Sequence, residues 1–363
     1  MRLVLVHLGH APAQYMWANV EHLSKLNPCI EIDVITSPGA SIPKSMDSKI
    51  NRFEYSTNDN IEKLLNGLEL DGAYRQGFWR YSLERLFAFT EHHKRFENDF
   101  LLHIESDVLL LETFPFESFK IIDKLAWSKL DDQRDVASLL FSPNLDTSMW
   151  LQRKIIDVLL NESNLNDMQI LSCISNRFPT EITVLPTLPK ESKEIISDRC
   201  KISSINVFRS FENSDLFAGI FDAAPIGIWL TGNHGVNTFG ISKRYDNNLV
   251  FESNSILIPS KMELEYIPGS GLFTSSGVKK IPIHTLHIHS KDIRIFSPLG
   301  HKLISKYVLE SKRNQVATSF SVSVLWDLLK DNYKKRTLIR FLLWLPPFNK
   351  YRLIRDFLRG RES

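Results

Sequence analysis

The sequence predicts an α/β fold, a Rossmann-type mixed sheet flanked by helices, from three observations. Residues 3–7 and 100–104 are apolar runs of strand length, as expected for strands that are buried on both faces of a sheet. A helical segment separates residues 3–7 from a second strand at 30–36, and this order is typical of a right-handed parallel crossover. Residues 249–258 and 262–267 alternate between apolar and polar, which predicts antiparallel strands.

Length and composition describe an ordinary globular chain. Its 363 residues suffice for one large α/β domain or two smaller ones, and the formal net charge of +2 gives no overall electrostatic basis for nucleic-acid binding. The cysteines, Cys29, Cys173 and Cys200, are odd in number and far apart, so they predict neither a metal motif nor a disulfide framework. The amino terminus predicts a strand rather than a signal peptide. We therefore expect a cytoplasmic protein with no nucleic-acid partner.

The carboxyl terminus differs in character from the rest of the chain. Residues 334–363 carry nine Lys or Arg against two acids, with apolar residues between them, and Pro346-Pro347 divides the segment into two short amphipathic basic helices. Such a pair suits an anionic membrane surface, where each basic residue contributes about 1 kcal/mol. A helix that packs on the preceding domain with a solvated basic face is the alternative. We expect a helical, basic extension over 301–363 and, if it binds membrane, a peripheral position on the inner face of the cell membrane.

Two carboxylates, Glu105 and Asp107, directly follow the apolar run at 100–104, and a second apolar run begins at Val108. Ligands of open α/β sheets bind at the carboxyl ends of the strands. Two hard oxygen donors at that position suit Mg²⁺ or Mn²⁺ that carries a substrate phosphate. The alternative is a solvated acidic turn, which is common after strands.

Two stretches resemble a known family. Residues 78–86, Phe-Trp-Arg-Tyr-Ser-Leu-Glu-Arg-Leu, and residues 103–110, His-Ile-Glu-Ser-Asp-Val-Leu-Leu, resemble bacterial glycosyltransferases of the GT-A fold, of the type that builds cell-surface polysaccharides such as capsule and O-antigen. The resemblance implies a GT-A-like catalytic domain over 1–300, with a nucleotide-sugar half at about 1–145 and an acceptor half at about 146–300. It also implies that Glu105-Ser106-Asp107 stands for the Asp-x-Asp motif that holds a divalent cation against the diphosphate.

A late histidine pair offers a further metal ligand. Alternation along a strand places His287 and His289 on one face, whereas a single histidine on a strand is usually structural. The resemblance implies a late histidine that completes the metal shell and a nearby lysine that contacts the diphosphate. His289 and Lys291 match that order best, with His287 as the reserve ligand. An imidazole beside two carboxylates suits Mn²⁺.

The resemblance also implies nucleotide-binding and catalytic residues. His7, Gly9 and Arg80 are expected near the base or the phosphates. Asp222 stands three residues before a proline that fits the first turn of a helix, which makes Asp222 a natural N-cap. The resemblance implies instead that Asp222 is the general base of an inverting reaction, with Asp167 as second choice. Both roles of Asp222 stay open, and a retaining reaction needs no such base.

The implied function is metal-dependent transfer of a hexosyl or related sugar from a nucleotide-sugar donor to the hydroxyl of a glycan or lipid-linked acceptor. A catalytically silent relative that binds glycan or acts as a scaffold is the alternative from another class. A sugar-phosphate nucleotidyltransferase is disfavoured because no glycine-rich loop follows the first strand. A metallophosphoesterase, suggested by the histidine pair and the acids, normally requires more Asp and His ligands than the sequence offers.

Overall fold

The computed structural model describes residues 1–68, 77–190, 195–196, 205–233, 244–252, 255–276 and 279–318. The chain divides into two compact units, Met1–Ser305 and Lys306–Ser363. The described part of the second unit is helical. The two basic helices predicted over 334–363 lie outside the described residues. None of the described helices is both long enough and apolar enough to cross a membrane.

The regular elements of the described residues follow in chain order. The strands are β1 (Arg2–His7), β2 (Glu31–Thr36), β3 (Asn51–Glu54), β4 (Leu101–Ile104), β5 (Val108–Leu110), β6 (Leu125–Lys129), β7 (Asp135–Ser142), β8 (Ile182–Leu185), β9 (Leu264–Ile267), β10 (Gly271–Ser276), β11 (Lys279–Ile283) and β12 (Thr285–His287). The helices are α1 (Gln14–Leu26), α2 (Asp59–Asn66), α3 (Phe78–His93), α4 (Phe116–Phe119), α5 (Leu145–Asn161), α6 (Asp167–Arg177), α7 (Ile205–Arg209), α8 (Ser214–Phe217), α9 (Pro225–Thr231), α10 (Asn247–Glu252) and α11 (Gly300–Thr318). Short 3₁₀ turns span Lys44–Met46, Pro179–Glu181, Pro259–Lys261 and Ile293–Phe296.

The central sheet has seven strands in the order β3-β2-β1-β4-β7-β6-β8. The strands β3, β2, β1 and β4 pair in parallel, and β7 runs antiparallel between β4 and β6. The predicted α/β architecture with a mixed sheet is therefore confirmed. The strand order reverses direction between β1 and β4, so the carboxyl ends of these two strands border the crevice where open α/β sheets bind ligands.

Helices cover both faces of this sheet, and the apolar side chains of β1 alternate between the two faces. Val4 and Val6 pack with helices α3, α5 and α6, whereas Leu3 and Leu5 pack with α1 and α4 on the opposite face. All four side chains are buried, which confirms that the first predicted strand is buried on both faces.

Two smaller sheets complete the first unit. β9, β10 and β11 form an antiparallel sheet in the order β11-β10-β9, and β12 pairs antiparallel with β5. The antiparallel strand predicted at 262–267 is thus confirmed over β9.

The strand predicted over 249–258 is wrong. The chain forms helix α10 there, which begins where the Asp246 carboxylate accepts a hydrogen bond of 2.9 Å from the Asn248 N–H. Beyond the helix, Leu257 makes a single antiparallel bridge to Ile196. The short alternating pattern therefore spans the end of a helix and an isolated bridge rather than a strand.

A buried carboxylate ties β2 to its neighbours in the sheet. Asp33 is fully buried and accepts hydrogen bonds from Arg2 (2.6 and 2.8 Å), His92 (2.8 Å) and Asn51 (2.9 Å). Burial acts to raise its pKa, but these hydrogen bonds outweigh burial and lower the pKa of Asp33 to about 2.

We expect Asp33 to contribute to acid stability. Because its pKa falls from an ordinary 3.8 to about 2 on folding, its contribution of about 2 kcal/mol is present above pH 3.8 and is lost as the pH falls toward 2. Asp33→Asn removes this pH-dependent contribution to stability. The free energy of unfolding of the variant should therefore vary less than that of the wild type across this pH range. Urea unfolding at several pH values measures the difference. Parallel curves for the two proteins would contradict the prediction.

Candidate functional site

A cavity of about 490 Å³ lies at the carboxyl ends of β1 and β4, at the point where the strand order reverses. Aromatic and imidazole rings line one part of it, contributed by His7, His10, Tyr15, Phe78, Trp79 and Tyr81. Charged or ionisable side chains line the other part, contributed by Arg85, Glu105, Asp107, Asp167, His287, His289 and Lys291. The cavity thus combines flat apolar surfaces with a compact charged cluster.

The two acids of the cluster lie on a tight turn between β4 and β5. The turn is closed by a hydrogen bond of 3.0 Å from the Val108 N–H to the Glu105 carbonyl, and the Glu105 N–H bonds the Ser138 carbonyl at 3.0 Å. Both Glu105 and Asp107 line the cavity, and Asp107 is only 5% exposed. The acidic pair is therefore part of the cavity wall and not a solvated turn.

Helix α1 supports this turn from behind. The buried amide of Asn19 donates to the carbonyls of Ser106 (3.2 Å) and Val108 (2.8 Å), which bracket Asp107. The sequence analysis did not identify Asn19. Its position on the buried face of α1, between Met16 and the following apolar residues, was the available signal, because a polar side chain there must find partners.

The pairing of β5 with β12 brings a histidine to the acids. His287 pairs with Val108 in this ladder, and the Ile288 N–H donates to the Asp107 carbonyl at 2.7 Å. As a result, His287 Nε2 lies 3.2 Å from Asp107 Oδ2 and 3.4 Å from Glu105 Oε2. The ladder therefore joins residues that are 180 positions apart in the sequence.

The structure fits a divalent cation at this point. Glu105, Asp107 and His287 each offer one ligand atom, and these atoms lie within 4.8 Å of one another. Two carboxylates and an imidazole form a donor set that suits Mn²⁺.

The preference for His289 over His287 as the ligand is therefore reversed. The His289 ring also lines the cavity and lies against the His287 ring, with 4.1 Å between the centroids, although His289 lies on a turn after the strand. His287 reaches the acids because it ends the β12 ladder opposite Val108, whereas His289 lies beyond the ladder.

Two cations offset most of the charge of the three acids. Lys291 donates to Asp107, and the buried guanidinium of Arg85 bridges Glu105 and Asp167, with 2.9 Å from Nη2 to Asp167 Oδ2. Burial acts to raise the pKa of Glu105, but the charges of Arg85 and then His287 outweigh burial and lower that pKa to about 2. Glu105 is therefore ionised at neutral pH.

Asp167, the second candidate for the general base, lies in the cavity wall. It begins helix α6, whose start is fixed by a capping box between Asn166 and Gln169. Its side chain is 5% exposed, and Oδ1 accepts no hydrogen bond from the described residues. Burial raises the pKa of Asp167, although the charge of Arg85 opposes the shift. Asp167 thus places a buried carboxylate against the cavity wall.

The expected role of Arg80 beside a nucleotide is not supported by its position. Arg80 contacts Asn66 and lies 3.7 and 3.8 Å from Glu62 and Glu84, and it does not line the cavity. Arg85, which the sequence analysis missed, occupies the cavity wall instead. At about 100° per residue, five positions along α3 separate the two arginines by about 140° around the helix, so they lie on different faces of α3. The spacing of Arg85 from Tyr81, which also lines the cavity, could have identified it.

The other predicted residues of the nucleotide half divide between the cavity and its support. His7 lines the cavity at the end of β1, and burial lowers its pKa. Gly9 adopts a φ of +87°, donates to Ser37 Oγ at 2.9 Å, and lies so close to Tyr81 that a Cβ would come within 2.2 Å of the ring. Gly9 therefore shapes the wall by allowing Tyr81 to approach the main chain.

Asp222 does not line the cavity. It is 1% exposed, and its carboxylate accepts hydrogen bonds from main-chain N–H groups of the first turn of α9. Of its two predicted roles, these contacts match capping of the first turn by the side chain, although Ala224 and not Asp222 occupies the N-cap position.

Comparisons with known proteins gave structural matches alone, since no family model and no curated protein matches the chain. The galactosyltransferase LgtC, solved in complex with donor and acceptor sugar analogues, is 13% identical with a TM-score of 0.37 over 51% of this chain and 73% of its own. The glycosyltransferase GlyE of Streptococcus pneumoniae TIGR4 is 15% identical with a TM-score of 0.36 over 51% of this chain and 44% of its own. A glycosyltransferase involved in glycosylation of the major capsid of PBCV-1 is 13% identical with a TM-score of 0.29 over 51% of this chain and 81% of its own. Similarity at this level carries no conclusion about the site, which stands on its own geometry.

The ion pair between Lys291 and Asp107 leads to a prediction about cation affinity. Because the ammonium of Lys291 neutralises a candidate ligand, Lys291→Met should increase the affinity for Mn²⁺ in the absence of nucleotide by about threefold. The electron paramagnetic resonance signal of free Mn²⁺ measures the affinity. Lys120→Met, which removes a surface lysine paired with Glu117, is the matched control and should leave the affinity unchanged. Unchanged or weaker binding by the Lys291 variant would contradict the prediction.

Proposed function

We propose that this chain is a metal-dependent glycosyltransferase that moves a sugar from a nucleotide-sugar donor to a hydroxyl of a glycan or lipid-linked acceptor. The observation that carries the proposal is the convergence of Glu105, Asp107 and His287 at the rim of an aromatic-lined cavity. A cation site, flat rings and flanking cations in one cavity are the features that a nucleoside diphosphate requires. The sequence resemblance to GT-A glycosyltransferases gives independent support.

The nucleotide half of the proposal rests on the cavity rings. Tyr15, Trp79 and Tyr81 offer faces or edges on which a base can stack. His7 and His10 add imidazole groups to the cavity wall, and burial lowers the pKa of His7. A base held among these rings leaves the diphosphate facing the acids.

The charged cluster supplies the groups that act on the diphosphate. Glu105, Asp107 and His287 would hold Mn²⁺ or Mg²⁺, and a divalent cation bound there supplies positive charge that stabilises a departing nucleoside diphosphate. Lys291 lies beside Asp107 and lines the cavity, so its ammonium can turn from this acid to a phosphate oxygen. Arg85 stays with Glu105 and Asp167 and holds both carboxylates in place.

The proton of the acceptor hydroxyl needs a base if the reaction inverts the anomeric centre. Asp167 is the better candidate for this role because it lines the cavity, its Oδ1 accepts no hydrogen bond from the described residues, and burial raises its pKa. The carboxylate of Asp222 already accepts main-chain hydrogen bonds away from the cavity wall. We therefore assign the proton to Asp167 in an inverting reaction.

Asp107→Asn tests the proposed metal role. The variant keeps the shape of the side chain but removes a charged ligand, so transfer should fall by about 100-fold or more. Activity is measured as Mn²⁺-dependent release of nucleoside diphosphate from the donor, and thermal unfolding checks the fold. Asp157→Asn, at an exposed carboxylate of α5 that pairs with Lys154, is the matched control and should retain full activity. Near-normal turnover by the Asp107 variant would refute the metal role.

A panel of nucleotide-sugars separates transfer from silent binding. We expect one UDP-, GDP- or CMP-sugar to raise the melting temperature in the presence of Mn²⁺, because donor and cation bind the same cavity. Indifference to every nucleotide, together with stabilisation by glycan, would support the silent binder instead.

The proposal includes a cytoplasmic enzyme whose basic carboxyl-terminal extension rests on the inner face of the membrane. Sedimentation with anionic vesicles can test this membrane contact.

A further inference from the structure

A buried carboxylate links two segments behind the candidate metal site. Asp222 precedes α9, is 1% exposed, and belongs to neither the cavity wall nor the cluster of candidate ligands. Burying a carboxylate is costly unless its oxygens find donors. The hydrogen-bond donors to the Asp222 carboxylate therefore indicate its role.

Within the part of the chain that the structure describes, the four donors to the Asp222 carboxylate are main-chain N–H groups. Its Oδ1 accepts from Ala224 at 2.9 Å and from Ile226 at 3.0 Å. Its Oδ2 accepts from Gly227 at 2.7 Å and from His287 at 3.0 Å. Three donors belong to the start of α9, and the fourth belongs to the candidate metal ligand at the end of β12.

The two segments are in close contact around this carboxylate. The Asp222 N–H itself donates to Thr285 Oγ1 at 3.0 Å, two residues before His287. A Cβ on Gly227 would lie 2.0 Å from the His287 carbonyl oxygen and 2.8 Å from Asp222 Oδ2, so the approach of α9 to β12 requires glycine. The main chain of His287 is therefore held by Asp222 on one side and by the β5 ladder on the other.

We infer that Asp222 is a positioning residue for His287 and takes no part in proton transfer. Among the described residues each oxygen already accepts from two N–H groups, so the carboxylate is occupied by main-chain hydrogen bonds. By fixing the main chain at His287, it keeps Nε2 within 3.4 Å of the carboxylates of Glu105 and Asp107. The inference rests on the cation site of the proposed function. It replaces the base role that sequence reasoning had offered for Asp222.

Asp222→Asn tests the inference because it keeps the side-chain shape and turns one acceptor into a donor. The His287 N–H or the α9 N–H groups then lose partners, and the affinity for Mn²⁺ should fall by about tenfold or more. Hydrogen exchange of the peptide that contains 285–288 should accelerate in the cation-free protein. Asp33→Asn, at another buried carboxylate of the same domain, is the matched control. It should lose stability but keep the wild-type affinity and the wild-type exchange of this peptide.

The outcomes separate the inference from the proposed function. Suppose that Asp222→Asn keeps the wild-type Mn²⁺ affinity and exchange but loses transfer, and that the rise of the residual rate with pH on the acidic side of the profile disappears. Asp222 is then the base, and the inference is overturned. If the wild type binds no Mn²⁺, the proposed metal function fails. Hydrogen exchange still decides the positioning role in that case, because it needs no cation.

A milder variant covers the case in which Asp222→Asn does not fold. Thr285→Val removes only the hydroxyl that accepts the Asp222 N–H and leaves the carboxylate intact. We expect Mn²⁺ affinity to fall by about threefold, as for one lost hydrogen bond, and the exchange of 285–288 to rise. Wild-type values for both measurements would overturn the inference.

Discussion

The antiparallel pairing of β5 with β12 is the interaction on which the candidate site depends. It joins Val108–Leu110 to Thr285–His287, and it is the connection that places His287 beside the acidic turn. Three residues on each strand make a short ladder, which alone would be marginally stable. Side chains of α1 strengthen it from one side, since Asn19 bonds the Val108 carbonyl and His22 bonds the Leu110 carbonyl at 2.7 Å. Helix α9 packs against it from the other side through Gly227.

Charge balance explains how acids can remain ionised in a largely buried cluster. An unpaired carboxylate at this depth would cost several kcal/mol. Glu105 and Asp167 share the guanidinium of Arg85, and Asp107 pairs with Lys291. Three carboxylates against two cations leave one negative charge when all are ionised, so a divalent cation alone would leave the cluster with one net positive charge. Its binding is therefore most favourable together with an anionic ligand, which couples the metal to the diphosphate through electrostatics alone.

Local patterns sufficed to predict part of the site. The acid pair at the end of β4 depends on strand length, which can be obtained from a few neighbouring residues. The two late histidines are neighbours because of a turn after β12, which alternation does not contain. The choice between His287 and His289 depends on the register of a ladder with partners 180 residues away, which no local pattern contains. The same limit applies to the carbonyl partners of Asn19.

The choice of Arg80 instead of Arg85 could have been avoided by applying helical periodicity to α3. Arg80 and Arg85 lie on different faces of α3, and the cavity face could be identified from Tyr81. The strand expected over 249–258 failed for a different reason. A short alternation of apolar and polar residues is compatible with one or two helical turns, and here a helix that begins after Asp246 continues into the segment as far as Glu252.

The way in which the candidate metal-coordinating side chains are held affects how the site would respond to a cation or a phosphate. Asp107 is fixed through main-chain bonds made by Asn19, and His287 through those made by Asp222, so their geometry exists before any cation binds. Binding then costs little ordering entropy at the ligands. Lys291 is held differently. It lies beyond the ladder with a φ of +57°, on a turn closed by a bond of 3.0 Å to the Ile288 carbonyl, and its long side chain alone reaches Asp107. A fixed set of ligands with one adaptable counter-charge can exchange an internal ion pair for a cation and a phosphate without moving the sheet.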